Sequence, residues 1–421
     1  MNFTFLLIIF ALGYAVIALE HSLRINKTAT AILLAVICWV ILIFLHGGNE
    51  IAVLPQLSHH LSGIAEIVFF LMGAMAIVEL IDAHRGFRMV SGLVKTKNKV
   101  SLLWMISFLT FFMSAILDNL TSAIVMVSIL RKIIRDKEER LVFASLVIIA
   151  ANAGGAFSPI GDVTTTMLWI GGQISALNII TMLFIPSVVS LLIPLLYFSV
   201  TMRGQKLSDS EKENETPLPY STHIFFLGVA CLVSVPVFKQ LTHLPPYMGI
   251  LLGLGVMWVV TELLHSKRER KELQMAAVLR KIDLSSILFF VGILLSVAAL
   301  ESAGLLELTA SWLEQNVPNK DAVVTMLGVA SSIIDNVPLV AATMGMYPLH
   351  IFPTDHKIWE MIAFCAGTGG SLLIIGSAAG VVVMGMENIS FGLYLKKITL
   401  PALIGYLAGV GCYLGIYFLL H

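Results

Sequence analysis

Charged residues are scarce in this sequence. Asp, Glu, Lys and Arg make up 12% of the 421 residues, whereas 58% are hydrophobic. A soluble domain has about twice that charged share. The 26 basic residues are matched by 26 acidic ones, so there is no basic excess to bind a polyanion. The composition excludes a soluble enzyme, a nucleic-acid-binding protein and a disordered chain, and it indicates a polytopic membrane protein.

Signatures of metal, disulfide and hydrolase chemistry are also missing. The four cysteines lie singly in apolar stretches, without a CxxC pair, so neither a zinc site nor a disulfide framework is expected. The HExxH and GxSxG motifs are absent as well, and these are signatures of metalloproteases and serine hydrolases. We therefore expect no enzymatic activity, no catalytic residues and no bound cofactor.

Apolar stretches long enough to cross a membrane fill much of the chain. A bilayer core about 30 Å thick needs about 20 apolar residues per helix. Such stretches lie at 3–19, 28–45, 61–82, 178–200, 222–238, 246–264, 284–303 and 400–420. With the interrupted segments described below, we expect an all-α membrane protein of about ten full spans plus two re-entrant hairpins.

Basic residues predict the orientation of these spans. Most of the Lys and Arg residues fall in six clusters, and the positive-inside rule places all six in the cytoplasm, with both termini on the outer side. On this assignment no Lys or Arg remains inside the membrane. The clusters lie at 24–27, 85–99, 131–140, 203–212, 267–281 and 396–397.

Two apolar stretches must then enter and leave the membrane on the same side. We predict a hairpin at 100–133, entered from inside, with Asp118-Asn119 near its tip. A second hairpin at 322–346 is entered from outside and has Asp335-Asn336 at its tip. Each is followed by a segment broken by Gly, at 141–169 and 358–386. Broken backbone at membrane depth survives only where it is buried in protein or lines a cavity.

Short motifs recur in the two halves at a nearly constant offset. Ser-x-x-x-Asp-Asn occurs at 114–119 and 331–336, Ala-x-x-Gly-Gly at 151–155 and 366–370, and Ile-Gly at 160–161 and 375–376. A span with a Phe-Phe pair precedes each hairpin. Matches in the same order favour an internal repeat over chance. Because the hairpins enter from opposite sides, the repeats have inverted topology, which is the architecture of secondary transporters.

These boundaries divide the chain into six parts. Residues 1–60 hold N-terminal spans, 61–202 the first repeat, 203–221 a charged cytoplasmic linker, 222–265 two further spans, 266–283 a basic surface helix, and 284–421 the second repeat. Strict symmetry is lost at two positions, since Gly367 stands where Asn152 is and Ser377 where Asp162 is. A second, equivalent site is therefore in doubt.

Acidic and amide side chains lie deep in the interrupted segments. A charged residue within a span costs about 2.5–3.5 kcal/mol on insertion scales and is functional by default. The acids are Asp118, Asp162 and Asp335, and none has a basic partner within the membrane. Carboxylate, amide and hydroxyl oxygens are ligands of hard cations, so we expect a cation site. The accompanying polar residues are Ser114, Asn119, Thr121, Asn152, Ser158, Thr164, Thr165, Ser331, Asn336, Thr368, Ser371 and Ser377.

Three stretches of the sequence resemble the NhaD-type sodium/proton antiporters of the wider ion transporter superfamily. They are Asp118-Asn119-Leu120-Thr121, the stretch 151–165 (ANAGGAFSPIGDVTT) and Asp335-Asn336-Val337-Pro338. The resemblance implies exchange of Na⁺, and of Li⁺, for H⁺ in a bacterial inner membrane. It also implies a homodimer with scaffold and transport domains, the scaffold including 1–60 and 222–265, and an elevator-like motion. The implied cation site comprises Ser114, Asp118, Asn119, Asn152, Asp162, Thr164 and Thr165.

Desolvation favours the neutral form of a buried carboxylate, so Na⁺ and H⁺ can compete for the same aspartates. A Na⁺-coupled carboxylate symporter or an arsenite permease on the same scaffold is the main alternative. Its site would carry small neutral residues at the hairpin tips, where this sequence has acids. An intramembrane aspartyl protease is a remote alternative, since two membrane aspartates could share a proton. It would need a Gly-x-Gly-Asp pattern, which is absent.

Overall fold

The computed structural model describes residues 3–18, 25–93, 96, 98–205, 207, 218–265, 273–317 and 319–420. α-Helices make up nearly all the regular structure of this part of the chain. They are α1 (Phe3–Ala18), α2 (Lys27–Leu45), α3 (Glu50–Ala83), α4 (Arg88–Leu93), α5 (Lys99–Leu117), α6 (Asn119–Ile133), α7 (Lys137–Ala156), α8 (Val163–Ile170), α9 (Ala176–Thr201), α10 (Ser221–Thr242), α11 (Pro246–Leu264), α12 (Met275–Val278), α13 (Leu284–Ser302), α14 (Leu305–Asn316), α15 (Lys320–Ala330), α16 (Asn336–Met346), α17 (Lys357–Gly369), α18 (Ala378–Glu387), α19 (Phe391–Lys397) and α20 (Thr399–Leu420).

The expectation of an all-α polytopic membrane protein is confirmed. Among the described residues, nine helices are long and apolar enough to cross a bilayer, or ten if the bent pair α18 and α19 forms one span. The side chains exposed on their outer surfaces are largely Leu, Ile, Val and Phe. Lipid therefore takes the place that water has around a soluble protein.

The helices pack in two groups. The flanking bundle consists of α1, α2, α3, α10, α11 and α13, which contact one another along their lengths. The acid-bearing bundle consists of α5 to α9, α15 to α18 and α20. The two bundles meet where α3 contacts α8, where α13 contacts α16 and where α10 contacts α5. The site described below lies in the acid-bearing bundle.

Helix breaks occur inside the acid-bearing bundle. Helix α5 ends at Leu117 and α6 begins at Asn119, and both arms pack on each other and on α7. The second tip lies between α15 and α16, at 331–335. Helices α7 and α8 are separated by 157–162, and α17 and α18 by 370–377. All four interruptions lie within the segments where the sequence predicts hairpins or broken helices.

One predicted boundary falls inside a helix, and two other predicted segments lie partly outside the described residues. Helix α3 begins at Glu50, so the predicted boundary after residue 60 falls inside a helix that also includes His59 and His60. The predicted surface helix at 266–283 has only α12 and a short 3₁₀ turn, Leu279–Lys281, in its described part. Residues 266–272, and residues 206 and 208–217 of the predicted linker, lie outside the described residues.

Close backbone contacts recur in the two halves. A Cβ atom at Gly154 of α7 would overlap the carbonyl group of Phe111, and one at Gly369 of α17 would overlap the carbonyl group of Gly328. These pairs are separated by the same offsets of 215 and 217 residues as the sequence motifs. Small residues allow helix backbones to approach this closely in membranes. The glycines therefore hold each broken helix against the first arm of its hairpin.

Gly154→Ala should destabilise the fold, because the added methyl group cannot avoid a backbone atom and overpacking costs about 1–3 kcal/mol or more. Gly255→Ala is the matched control: Gly255 also lies in a helix, but a Cβ there meets nothing within 4 Å. Thermal denaturation of the purified proteins in detergent measures the effect. Equal melting temperatures for the two variants would contradict this account of the contact.

Candidate functional site

Four helices begin inside the acid-bearing bundle, and a polar side chain caps each of them. Asp118 caps α6, Asp162 caps α8, Asp335 caps α16 and Ser377 caps α18. A helix N-terminus leaves backbone N–H groups without partners, and no water is available in a bilayer core to bind them. Three of the four caps are therefore the same acids that the sequence singles out.

Asp162 lies at the centre of the site and is 2% exposed. Its Oδ1 accepts hydrogen bonds from the backbone N–H and the hydroxyl of Thr164, both at 3.0 Å. Its Oδ2 accepts a bond from the side-chain amide of Asn119 at 2.8 Å and a longer one, at 3.5 Å, from Asn336. One carboxylate thus joins the broken helix of the first half to the tips of both hairpins.

Asn152 connects the two broken helices. Its Oδ1 accepts a bond from the Asn119 amide at 3.1 Å. Its Nδ2 donates to the hydroxyls of Ser371 and Ser377, both at 2.9 Å. The side chain is completely buried, and unpaired amide groups are costly in such a place. Ser377, the counterpart of Asp162 in the second half, therefore takes part in the network as a neutral acceptor.

Asp118 has an unusual backbone. Its φ of 121° and ψ of 161° lie in a region that is favourable only for glycine. Both carboxylate oxygens are bound by Thr121, Oδ1 by the backbone N–H at 2.7 Å and Oδ2 by the hydroxyl at 2.8 Å. The cost of such a conformation is about 1–3 kcal/mol. The tip of the first hairpin is thus held in a strained turn that directs Asn119 toward Asp162.

Asp335, at the second tip, has an ordinary backbone conformation with φ of −51°. Its Oδ1 accepts a bond from the Val337 N–H at 3.2 Å. Like Asp118, its side chain is half-buried. The two tips therefore differ in strain although their sequences match.

Serine hydroxyls fix each hairpin to its broken helix. Ser114 donates to the carbonyl of Ala151 at 2.5 Å, and Ser331 donates to the carbonyl of Ala366 at 2.9 Å. These bonds are equivalent under the repeat offset. Ser158 similarly donates to the carbonyl of Ala115. These serine hydroxyls thus bind backbone carbonyls near the helix breaks and link each hairpin to its broken helix.

Two predicted site residues point elsewhere. Thr165 donates to the backbone carbonyl of Asp162 at 2.9 Å, and Thr368 donates to the carbonyl of Phe364 one turn earlier. Thr121 binds Asp118 at the hairpin tip, whereas Ser371 joins the network by accepting a bond from Asn152. The structure thus brings together the residues of both halves around Asp162 and Asn152.

A cavity of about 80 Å³ adjoins the acids. Asp118, Asn119, Thr121, Asp162, Asp335 and Asn336 line one side of it. Phe289, Phe290 and Ser286 of α13 line it as well, together with Lys27. The sequence predicts that Lys27 lies in the cytoplasm and that the acids have no basic neighbour in the membrane. In the structure Lys27 lines the same cavity as the acids, and its ammonium lies 4.6 Å from the centre of the Phe289 ring.

Two larger cavities are named here the inner and the outer cavity, after the predicted orientation of the chain. The inner cavity, about 530 Å³, is lined by Glu79, Arg85 and Lys281, and it shares Met75, Leu120 and Thr121 with the central cavity. The outer cavity, about 380 Å³, includes Glu66 and Glu301. Among the described residues, the outer and central cavities have no lining residue in common. Of the two larger cavities, the one that shares lining residues with the central cavity is the one lined by residues of the basic clusters.

Asp118→Gly should raise thermal stability relative to Asp118→Ala, because glycine accepts the positive φ and is a tolerable N-cap, whereas alanine keeps the strain and loses the cap. The expected separation is about 1–3 kcal/mol. Both variants lose the carboxylate, so neither should bind the ligand of the wild-type site. Unfolding midpoints in detergent test the order, and an alanine variant at least as stable as the glycine variant would refute the strained tip.

Comparisons with known proteins point to one family. The sequence model described as "Citrate transporter" matches residues 5–359. Sodium/proton antiporter 1 of Arabidopsis thaliana is 51% identical over 97% of this chain and 72% of its own length, and sodium/proton antiporter 2 of the same plant is 48% identical over 97% and 99%. The Na⁺/H⁺ antiporter NhaD of Vibrio cholerae is 31% identical over 96% and 90%.

The fold has a counterpart among solved structures. The crystal structure of the Alcanivorax borkumensis YdaH transporter, described as having an unusual topology, superposes with a TM-score of 0.61 over 94% of this chain and 98% of that one, at 12% identity. That likeness concerns the fold alone. The family match and the antiporter relatives confirm the resemblance seen in the motifs, and the chain belongs to the transporter family that the citrate transporter model describes, with NhaD-type sodium/proton antiporters among its relatives.

Proposed function

We propose that this protein exchanges Na⁺, and also Li⁺, for H⁺ across a membrane. The observation that carries the proposal is the position of the Asn119 amide, which bridges Asp162 Oδ2 and Asn152 Oδ1 at 2.8 and 3.1 Å. Both oxygens accept a hydrogen bond from the Asn119 amide nitrogen. When the Asn119 side chain rotates so that its own oxygen points toward them, the three oxygens can coordinate one small cation. The relatives named as sodium/proton antiporters support the exchange of the same two ions, Na⁺ and H⁺.

The proposed Na⁺ ligands are Asp118, Asn119, Asn152, Asp162 and Thr164, all of which lie in the network or on the cavity wall. The ion and the proton compete for the oxygens of Asp162 and Asp118. A proton on Asp162 removes the charge that attracts Na⁺, and bound Na⁺ disfavours the proton. Exchange needs no chemical step or cofactor, and we infer that the protein is not an enzyme.

Alternating access is proposed to come from movement of the acid-bearing bundle, as transport domain, past the flanking bundle, as scaffold. This movement would have to break the contact between the two bundles at the outer end, and that contact is small. Lys239 of α10 donates to the carbonyl of Trp169 at the end of α8, and Phe70 of α3 packs edge-on against the Trp169 ring. The central cavity shares lining residues with the inner cavity and none with the outer one, which supports an inward-facing state.

The proposed setting is a multi-pass protein of an energised membrane, the bacterial inner membrane if the chain is bacterial. Lipid covers its apolar surface, and both termini lie on the outer side. A homodimer is proposed from the family resemblance. The two halves are proposed to be inverted repeats, which the recurring serine and glycine contacts support.

Purified protein in proteoliposomes should acidify or alkalinise the lumen when a Na⁺ gradient is imposed. Asp162→Asn should abolish this exchange, because the amide cannot take up a proton and carries no charge for Na⁺. Glu50→Gln is the matched control, since Glu50 is exposed at the start of α3. A pH-sensitive dye inside the vesicles reports the flux. Citrate or succinate counterflow by the wild-type protein without Na⁺/H⁺ exchange would instead support a carboxylate symporter.

Labelling with a membrane-impermeant thiol reagent tests the inverted topology. Glu138→Cys lies in the first turn of α7, and His350→Cys lies in the connection before α17; both residues are exposed. We expect reagent added outside to label His350→Cys in intact cells and to label Glu138→Cys only after the membrane is permeabilised. The wild-type cysteines are buried or partly buried and provide the background. Labelling of both variants from one side would contradict the inversion.

A further inference from the structure

We propose that Lys239 holds closed an outer gate, which is the contact of Phe70 with Trp169 between the two bundles. This inference rests on the proposed exchange function and adds a positioning residue to it. Lys239 lies in the last turn of α10, on the flanking bundle, whereas Trp169 lies on α8 of the acid-bearing bundle. A contact between these two residues can form only in a narrow range of relative positions of the bundles.

A thin wall separates the central cavity from the outer one. On α3, Phe70 lines the central cavity and Ile67 lines the outer one. On α8, Thr166 lines the central cavity, and Met167 and Ile170 line the outer one. Helices α13 and α16 pass from one cavity to the other in the same way. The wall is therefore about one helical turn thick, or about 5 Å.

Two aromatic side chains lie at the level of this wall. Phe70 packs edge-on against Trp169, with the ring centres 6.4 Å apart and the ring planes at 87°. Both side chains are buried, and edge-to-face packing is a favourable geometry for such a pair. Because the rings belong to different bundles, the pair must separate before the central cavity can open toward the outer one.

Lys239 binds Trp169 in two ways. Its ammonium donates to the Trp169 carbonyl at 2.9 Å and lies 4.7 Å from the centre of the Trp169 ring. A cation is favourable both at the carboxyl end of a helix and over an indole ring. A lysine at the end of a span would ordinarily extend to the aqueous phase, whereas this side chain crosses to the other bundle.

The two ends of α8 are thus bound by different bundles. Asp162 caps its amino end within the acid-bearing bundle, and Lys239 binds its carboxyl end from the flanking bundle. Movement of the acid-bearing bundle therefore displaces the site and breaks the Lys239 contact together. Glu66 of α3 interacts electrostatically with the same ammonium and lines the outer cavity, so a released Lys239 keeps an acidic neighbour on its own bundle.

Removing the Lys239 contact should expose the central site to the outer side. Ala378→Cys is the reporter, because Ala378 lines the central cavity from α18 and would move with the acids. A small membrane-impermeant thiosulfonate added outside should modify this cysteine slowly. With Lys239→Met the outside reaction should be about ten- to a hundredfold faster, since a hydrogen bond to a charged group shifts an equilibrium by about that factor. The reaction with reagent on the inside should not become faster.

Two further variants distinguish a latch from a general loosening of the protein. Lys239→Arg should restore slow outside labelling, because it keeps the charge and a donor for the carbonyl. Lys320→Met is the matched control: the Lys320 ammonium lies 4.7 Å from the centre of the Phe352 ring, and both residues belong to the acid-bearing bundle. It loses a similar cation–ring contact that does not join the bundles, so outside labelling should stay slow.

The outcomes separate this inference from the proposed function. A wild-type protein that does not exchange Na⁺ for H⁺ would overturn the function, whereas the labelling does not depend on which ion is carried. Outside labelling unchanged by Lys239→Met, or accelerated as much by Lys320→Met, would overturn the role of Lys239 alone. Faster labelling from both sides would do the same. If Lys239→Met does not assemble, Lys239→Gln is measured in its place, and failure of both would assign Lys239 a structural role and also overturn the proposal.

Discussion

The carboxylate of Asp162 satisfies the beginning of a helix with one oxygen and binds two hairpin tips with the other. A helix that starts at membrane depth must have its first N–H groups bound, since no water is present to bind them. An acid does this well because it carries charge toward the positive end of the helix. Burying this negative charge costs free energy unless a hydrogen-bond donor or a cation lies next to it. Asn119 and Asn336 supply hydrogen-bond donors here, and the four helix interruptions are thereby joined in one site.

The network is asymmetric although the two halves match in sequence motifs. The first half supplies Asp162 and Asn152, and the second half supplies Ser377 and Gly367 at the corresponding positions. Ser377 still caps its helix, but it contributes no charge. The Asn152 amide nitrogen donates hydrogen bonds to the second broken helix. This contact takes the place of an oxygen site equivalent to the one around Asp162. One charged centre between the halves results, with Asp118 and Asp335 at its two sides.

Much of this arrangement could be predicted from the sequence because the cause is local. Gly, Pro and acids interrupt apolar stretches, so the breaks at 118, 157–162, 331–335 and 370–377 have a signal in the sequence itself. The polar residues near those breaks follow for the same reason. Thr165 and Thr368 were included on that basis, yet they bind nearby carbonyls. Residue type alone does not distinguish a ligand from a helix-stabilising hydroxyl.

Lys27 could not be placed in this way. Its position beside other basic residues at the end of an apolar stretch predicts a cytoplasmic loop, and the positive-inside rule counts only which side it is on. Its side-chain direction depends on how α2 packs against α13, which is a tertiary contact between residues more than 250 positions apart. The start of α3 at Glu50 was missed for a related reason, since the polar His59-His60 pair interrupts the apolar pattern but not the helix.

Both bundles therefore contribute charge to one cavity, but in different ways. The acids sit at helix starts, where their backbone is fixed by capping bonds and, at Asp118, by a strained turn. The ammonium sits on a flexible stem whose root is fixed to the other bundle. The cavity is thus lined both by acids at the helix starts of one bundle and by a lysine at the helix start of the other.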